Sequence, residues 1–393
     1  MGRLSIPSLS EAFVARVAAV SRAELGLDHL VDARLVEGVA EVSRRYTLAR
    51  EELPELQGDA RLLSARLQFY VPRDLLKLHG PLAELHSVAA LPTKPRWRVL
   101  DLGAGLGATS LGVARFAALS SSAQALDVTA VDVDPEALEL FEALASDLST
   151  LPAVPLKLKT ITANLSTFLR GALGGPYDLI VLGLVINELA GASEAALLQH
   201  VLQLTQLLDS GGSLIIIEPA LRDTSRMLHA LRDRLAERAA PPFVFAPCLR
   251  TGPCPMLARP RDYCHERLPC HLPDSLSQIA SGAGLRERDL TYSYLTLSRE
   301  ARSLRELSES GLFRAVSGQL KSKGKTEVWL CGETAPRAQR LDRQRTESNA
   351  ALELAERGCI IRVSNIAPAS AGGLLRVDKA AEIQVVQRWE RER

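Results

Sequence analysis

The 393-residue sequence lacks the features of a membrane protein and of a strongly charged one. No apolar run approaches the roughly 20 residues that a membrane-spanning helix needs. The first 17 residues contain no uninterrupted apolar stretch and no small-residue cleavage site, so we expect no signal peptide. The formal net charge is only +1, and we find no internal repeat or long low-complexity tract. These absences favour a folded cytoplasmic protein without a membrane partner, and its length predicts two or three domains.

Cysteine is scarce in the chain as a whole but concentrated in one segment. Four of the six cysteines lie between Ala246 and Cys270, among prolines and arginines. In a reducing compartment such clustering favours metal binding over disulfides. The intervals between Cys248, Cys254 and Cys264 are wider than the C-x₂-C pairs of structural zinc sites. They are compatible with an iron–sulfur cluster held by four thiolates, and the alternative is a set of reduced cysteines without a ligand.

Charge is balanced overall but uneven along the chain. Residues 1–221 hold 18 Lys and Arg against 25 Asp and Glu, a balance of −7. Residues 222–345 hold 22 against 14, a balance of +8, and this basic part includes the cysteine-rich segment. An ordinary solvated surface is the simpler interpretation. The alternative is an anionic partner such as RNA, whose phosphates attract basic surfaces through counterion release.

Hydrophobic periodicity divides the chain into segments of different type. Residues 1–90 have helical spacing, and from Arg98 onward apolar strands alternate with amphipathic helices, which predicts a doubly wound, mostly parallel α/β sheet. The runs "LTYSYLTLSR" and "KTEVWLCGE" are predicted to be the last two strands. The predicted units are a helical region at 1–90, an α/β domain at 91–334 with a cysteine-rich insert at 246–272, and a charged linker with a small C-terminal β unit at 335–393.

The strongest local motif is the glycine loop of "VLDLGAGLGATSLGVARF". Gly103, Gly105 and Gly107 follow a predicted strand and precede a predicted helix, so the backbone can approach a ligand beside free helical N–H groups. Asp101 lies two residues before the first glycine. This placement is similar to the S-adenosylmethionine (SAM) loop of class I methyltransferases, whereas a dinucleotide loop more often has G-x-G-x-x-G spacing. A plain tight turn is the alternative.

Polar residues at the ends of the next strands extend this interpretation. Asp132 ends the second strand, where a carboxylate can accept bonds from both ribose hydroxyls, and Asn164 stands where a polar residue commonly meets adenine. Asn187 and Glu188, in "VINEL", are predicted at the carboxyl edge of the sheet, near methionine or substrate, or as caps of the next helix. The N/D-P-P-Y/F motif of many amino-group methyltransferases is absent. No catalytic base can be named, so turnover is left open.

Several segments together resemble one protein family. "APCLRTGPCPM", "DYCH" and "YSYLTLSR", with "LDLGAGLG", "VINEL", "LIIIEP" and "RVSNIAPASAGGLL" in the same order, resemble the methyltransferase-like proteins that associate with the mitochondrial and bacterial small ribosomal subunit. The resemblance covers about residues 70–377. It implies a Rossmann-like class I SAM-methyltransferase fold, a [4Fe–4S] cluster and a role in small-subunit maturation.

The resemblance also implies a set of cluster ligands. These are Cys248, Cys254, Cys264 and Cys331. Cys270 and Cys359 compete with Cys331 for the fourth position, and zinc is the alternative metal. His265 follows the third cysteine and is interpreted as an outer or surface residue.

Three functions follow from these features. The first is a SAM-binding, iron–sulfur-containing assembly factor that binds small-subunit ribosomal RNA, with no DNA partner. The second is an active SAM-dependent RNA methyltransferase, in which catalysis would consist mainly of positioning. The third and weakest is a zinc-stapled methyltransferase for a small molecule, against which the basic insert argues.

Overall fold

The structure is a computed structural model that describes residues 2–26, 32–48, 58–165, 174–186, 193–308, 310–367 and 373–390. The helices are α1 (Glu11–Leu25), α2 (Asp32–Thr47), α3 (Ala60–Ala65), α4 (Val71–Asp74), α5 (His79–Ser87), α6 (Ala108–Ser120), α7 (Pro135–Ala145), α8 (Glu194–Gln206), α9 (Arg222–Ala236) and α10 (Asp274–Gly282). The strands are β1 (Gly2–Ser5), β2 (Arg96–Leu102), β3 (Ala125–Asp132), β4 (Leu156–Thr162), β5 (Tyr177–Gly183), β6 (Leu208–Pro219), β7 (Phe243–Ala246), β8 (Glu266–Pro269), β9 (Asp289–Ser298), β10 (Leu312–Ala315), β11 (Leu320–Ser322), β12 (Lys325–Cys331), β13 (Arg337–Leu341), β14 (Ile360–Ser364), β15 (Leu374–Arg376) and β16 (Glu382–Glu390). None of the helices in these ranges is long and apolar enough to cross a membrane.

The first sheet has the order β4-β3-β2-β5-β6-β9-β7, with β8 paired to β9. Strands β2 to β6 are parallel, while β9 runs antiparallel to β6 and β7 runs antiparallel to β9. This arrangement confirms the doubly wound, Rossmann-like α/β fold that was expected from the sequence.

The central strands are buried on both faces because helices cover both sides of the sheet. In β5, Leu179 and Val181 enter one hydrophobic cluster, while Ile180 and Leu182 enter the other. A strand that is covered on both sides needs apolar residues at successive positions, which explains the continuous apolar run "YDLIVLG".

The strand order reverses between β2 and β5, and this reversal creates a crevice. From β2 the chain continues to β3 and β4 on one side, and from β5 it continues to β6 on the other. In open α/β sheets ligands bind outside the carboxyl ends of the strands at such a switch point. The loop that follows β2 at Gly103 lies at this position.

The second sheet has the order β1-β16-β14-β10-β12-β13-β15, with β11 paired to β12. The expectation that Lys325–Cys331 would extend the first sheet is therefore wrong, because this segment is β12 of the second sheet. Val328 and Leu330 of β12 are buried, whereas Trp329 between them is exposed. That alternation is typical of a strand with one covered face, and a position between two helical layers would instead require a continuous apolar run.

Candidate functional site: a nucleotide crevice and a four-cysteine pocket

The glycine loop is shaped by close packing as well as by its turn. Gly103 and Gly107 have φ angles of +70° and +83°, in the left-handed region. A Cβ atom on Gly103 would stand 2.0 Å from Val185 Cγ1, and one on Gly107 would stand 2.1 Å from Phe141 Cδ2. Both positions therefore exclude any side chain on two separate grounds.

Asp101 lies beneath this loop. Its buried Oδ2 accepts hydrogen bonds from Ser110 N at 3.0 Å and from the hydroxyls of Thr109 and Ser110, each at 2.5 Å. Burial raises the pKa of the Asp101 carboxyl to about 6. Asp101 is not among the residues that line the crevice. Its contacts tie the end of β2 to the first turn of α6, so it shapes the loop from below.

Asp132 connects the loop to the end of β3. Its Oδ2 accepts a hydrogen bond from Gly105 N at 2.7 Å, and its Oδ1 accepts one from Asp134 N at 2.9 Å. A carboxylate has about four acceptor positions, so these two bonds leave capacity for further donors. Asp132 and Gly105 both line the crevice, so the carboxylate borders the space where a ligand would lie.

The crevice is a cavity of about 230 Å³, somewhat smaller than the roughly 300 Å³ at which typical ligand pockets begin. Its floor is the glycine loop and the ends of β3 and β5, and its other wall comes from the N-terminal helical segment. On that wall a guanidinium nitrogen of Arg66 lies 3.4 Å from Asp134 Oδ2, and Lys77 Nζ lies 2.9 Å from Asp74 Oδ1. Burial lowers the pKa of the Lys77 ammonium.

Sequence reasoning missed this wall because residues 58–78 are distant in the chain from the glycine loop. The only local signal was a set of charged residues, including Arg66 and Lys77, within an otherwise apolar helical run. The other described residues that the sequence predicted for nucleotide binding are not found along this cavity. Gly107 and the exposed Asn164 do not line the cavity, and Asn187 and Glu188 lie outside the described residues.

A second, smaller cavity of about 40 Å³ collects cysteines from distant parts of the chain. The cysteines that line it are Cys248, Cys254, Cys264 and Cys331. Cys331 ends β12 of the second sheet, so this sheet contributes to a pocket of the α/β domain. The two rivals lie elsewhere: Cys270 is buried in the main hydrophobic cluster and Cys359 in the core of the second sheet.

Helix α9 holds the cysteine-rich loop through side chains that sequence reasoning did not single out. The Arg226 guanidinium donates to the carbonyls of Met256, Arg259 and Asp262 at 2.8–2.9 Å. These contacts replace the regular backbone pairing that an irregular loop lacks.

Two further α9 side chains bond the backbone of the cysteines themselves. Asp233 accepts from Cys254 N at 2.9 Å, and His229 Nε2 accepts from Cys264 N at 2.9 Å. Arg226, His229 and Asp233 are spaced by three and four residues, so they share one face of the helix. That polar stripe beside a cysteine-rich loop was the available signal.

The pocket disfavours free thiolates. Burial raises the pKa of Cys254 to about 12 and that of Cys331 to about 11, and it also raises those of Cys248 and Cys264. Buried thiolates therefore need a cationic partner, which metal ligation would supply. Within the described ranges, no group of three or more His, Cys, Asp or Glu side chains is arranged to hold a metal ion.

A buried ionic network lies next to the cysteine pocket. Arg314 of β10 donates to Glu84 of α5 at 2.6 Å, to Glu266 of β8 at 3.3 Å and to the carbonyl of Pro247 at 2.9 Å. Tyr294 of β9 also donates to Glu84. The network joins both sheets to the residue that precedes Cys248, so the second sheet and the loop are held in a common frame.

Comparison with known proteins gives one sequence match and several weak structural ones. The family described as mitochondrial small ribosomal subunit Rsm22 matches residues 82–348. No individually curated protein matches the sequence.

The solved structures that are similar to this chain include two methyltransferases. A putative class I SAM-dependent methyltransferase from Listeria monocytogenes has a TM-score of 0.37 and 12% identity, with 75% of this chain and 93% of that chain covered. Precorrin-6y C5,15-methyltransferase from Geobacter metallireducens has a TM-score of 0.32 and 11% identity, with 56% of this chain and 88% of that chain covered.

Proposed function

Because the chain belongs to the mitochondrial small ribosomal subunit Rsm22 family, we propose that it is a SAM-binding, iron–sulfur-containing factor that assembles with small-subunit ribosomal RNA. The observation that carries the proposal is the convergence of four cysteines, three from one loop and one from the second sheet, on a single buried cavity. A cytoplasmic location remains a prediction, since the family description refers to mitochondria.

The donor set of the pocket is compatible with an iron–sulfur cluster, because all four of its cysteine ligand candidates line one cavity. Zinc is the alternative, since four thiolates also ligate structural zinc. A [4Fe–4S] cluster is ligated around its outside, so its cysteines surround a volume. We expect Cys248, Cys254, Cys264 and Cys331 to be its ligands.

The crevice fits a nucleoside with a ribose. The left-handed glycines keep side chains out of the loop, and Asp132 borders the cavity with acceptor capacity remaining. When bound, SAM would supply a methyl group on a sulfonium. We expect Asp132 to accept the ribose hydroxyls and Arg66 to hold Asp134 in place at the rim.

The basic part of the chain supports the RNA partner. Arg259 and Arg261 are exposed on the cysteine-rich loop, between its second and third cysteines. Reversing both to Glu should weaken binding to small-subunit RNA and reduce the magnitude of the salt slope, d log K/d log[salt], by about 1.4–1.8 if each contacts one phosphate. Lys157→Glu with Lys159→Glu, on the exposed side of β4, is the matched control. A salt-independent interaction would contradict the RNA assignment.

An anaerobic purification tests the whole proposal. We expect a brown protein that contains about four irons per chain and co-purifies with small-subunit RNA. Stoichiometric zinc without iron would refute the cluster and preserve the ligand set, whereas absence of small-subunit RNA would refute the partner.

Active methyl transfer to RNA is the second candidate, and the crevice lined by Gly103, Gly105 and Asp132 favours it. Incubation with methyl-labelled SAM and small-subunit RNA separates the two candidates. Labelled RNA would establish an enzyme, and binding of SAM without label transfer would favour a factor that uses SAM as a structural or sensing ligand.

A further inference from the structure

The second sheet contains a five-stranded Greek-key arrangement. β10 pairs antiparallel with both β12 and β14, β12 pairs antiparallel with β13, and β14 pairs antiparallel with β16. β13 pairs parallel with β15. Following these directions, β15 and β16 run the same way as β10, so residues 374–390 form one strand that is interrupted at 377–381. β11 likewise continues β10, because both are antiparallel to β12.

If each interrupted pair is counted as one strand and the five strands are numbered in chain order, neighbouring strands follow the order 1-2-3-5-4 and strand 4 pairs again with strand 1. Strand 1 is β10 with β11, strands 2, 3 and 4 are β12, β13 and β14, and strand 5 is β15 with β16. Only strands 3 and 5 are parallel neighbours within this set. A partly open five-stranded Greek-key barrel of this kind is the oligonucleotide-binding (OB) architecture, which binds ligands on the face of strands 2 and 3 and in the loop between strands 1 and 2.

The side chains of β12 divide between the interior of this barrel and an outer face. Val328 and Leu330 enter the core with Ala338 of β13. Trp329 points outward and is 44% exposed. It pairs across the strands with Arg337, whose guanidinium carbon lies 5.8 Å from the centre of the indole ring. A large exposed aromatic on strand 2, oriented by a cation on strand 3, has the chemistry of a base-stacking platform.

Cations surround this platform. Lys323 is exposed at the tip of the hairpin between strands 1 and 2, which is the loop used by OB barrels. Lys321 pairs with Thr326 and therefore lies on the face opposite Trp329. Arg376 is exposed on β15, next to β13. One carboxylate, Glu327, lies among them and pairs with Lys325 at 2.9 Å and with Arg337 at 3.4 Å. The excess of positive charge complements a phosphate backbone.

The platform adjoins the cysteine pocket. Trp329 and Cys331 are two residues apart on β12 and therefore share a face of the strand. At the end of the strand, Thr251 of the cysteine-rich loop donates to Glu333 at 3.2 Å. The basic loop and the platform consequently lie beside each other.

From these contacts we infer that the outer face of β12, β13 and β15 binds single-stranded RNA, with a base stacked on Trp329 and phosphates held by Lys323, Arg337 and Arg376. This inference rests on the proposed function for the identity of the nucleic acid. An unpaired base is required, because bases in a duplex are already stacked and do not expose a face to the indole.

The test uses the full chain, purified anaerobically, and a fluorescein-labelled single-stranded RNA of about 12 nucleotides, within the site size of one OB barrel. Trp329→Ala should weaken binding about tenfold, since base stacking on an aromatic ring commonly provides that much affinity. Trp329→Phe should restore most of it. Leu119→Ala, at an exposed apolar position of α6, should leave binding unchanged.

A second variant tests the phosphate contacts without changing a residue of β12 beside Cys331. Lys323→Gln with Arg376→Gln should reduce the magnitude of the salt slope by about 1.4. Lys157→Gln with Lys159→Gln, on exposed positions of β4, is the charge-matched control. Equal affinity of the Trp329→Ala and wild-type chains at unchanged iron content, or preference for duplex RNA, would overturn the inference.

Two outcomes separate this inference from the proposed function. A chain that binds the short RNA through Trp329 but does not bind small-subunit RNA refutes the proposed function and supports the platform. A chain that binds small-subunit RNA equally well with Trp329→Ala, but loses a co-purifying protein, refutes the RNA platform and assigns this face to a protein partner.

Discussion

At the scale of single residues, the two carboxylates of the glycine loop have different tasks. Asp101 is enclosed beneath the loop and bonds the start of α6, whereas Asp132 borders the cavity. A change at either position would alter ligand affinity, but only at Asp132 would it remove a direct contact.

Asp132→Ala should weaken the binding of SAM and of its demethylated product in calorimetry. Each lost hydrogen bond from a ribose hydroxyl to the charged acceptor should cost about 1.5–3 kcal/mol. Asp127→Ala, at a half-exposed position of the same strand, is the control and should bind normally. Unchanged affinity in the Asp132 variant would contradict the assignment of the ribose site.

His79 should make the stability of the fold depend on pH. Burial, together with the nearby Arg115 guanidinium, lowers the pKa of His79 to about 3 from an ordinary value of 6.5. The unfolded chain therefore binds a proton at this residue that the folded chain does not, so the contribution of His79 to the free energy of unfolding is complete above pH 6.5 and declines as the pH falls toward 3. His79→Gln should flatten this decline in urea unfolding between pH 6.5 and 4.5, whereas His86→Gln, at an exposed position, should retain it. Parallel profiles for wild type and His79→Gln would exclude this origin.

At the scale of elements, the junction between β2 and α6 depends on glycines that meet their neighbours closely. Gly107 begins α6 from a left-handed conformation and packs against Phe141 of α7. The loop thus sets the distance between two helices as well as the shape of the crevice.

Gly107→Ala should destabilise the fold by more than backbone strain alone. A left-handed alanine costs about 1–2 kcal/mol, and the clash with Phe141 should add about 1–3 kcal/mol. Gly284→Ala provides the control, because its φ is +69° but no atom lies within 4 Å of the new Cβ. Thermal unfolding should show a larger loss for Gly107→Ala, and equal losses would show that Phe141 moves aside without cost.

At the scale of the whole molecule, the cysteine pocket joins two sheets that are built from different parts of the chain. Cys331 enters from the second sheet, and Arg314 of that sheet bonds the carbonyl before Cys248. A cluster at this position would therefore link the second sheet to the α/β domain, and its loss should lower the stability of more than the loop.

Cys331→Ser should remove the brown colour and most of the iron, and it should lower the unfolding temperature because metal binding is coupled to folding. Serine at Cys248, Cys254 or Cys264 should do the same. Cys270→Ser and Cys359→Ser should retain the iron, since both residues lie in hydrophobic cores away from the pocket. Loss of colour with Cys270→Ser but not with Cys331→Ser would show that Cys270 is the fourth ligand.

The sequence by itself determined what depends on neighbouring residues. Patterns within a few positions of each residue predicted three features. These are the positive φ angles of Gly103 and Gly107, the doubly buried run of β5 and the position of Asp132 beside the crevice. Strand propensity, glycine geometry and hydrophobic periodicity act locally, so the first sheet and its glycine loop could be predicted.

Tertiary structure decided what depends on contacts between distant segments. It brought Cys331 rather than Cys270 or Cys359 to the pocket, placed Arg66 and Lys77 over the crevice, and placed β12 in the second sheet with Trp329 exposed. Local patterning showed that β12 is a strand but left its partner unspecified, because the pairing of a strand is set by the whole arrangement of sheets and covering layers. The Cys331 thiol and the exposed indole share a face because they are two residues apart on β12, whereas the neighbours that this face meets depend on the pairing of β12 with β13.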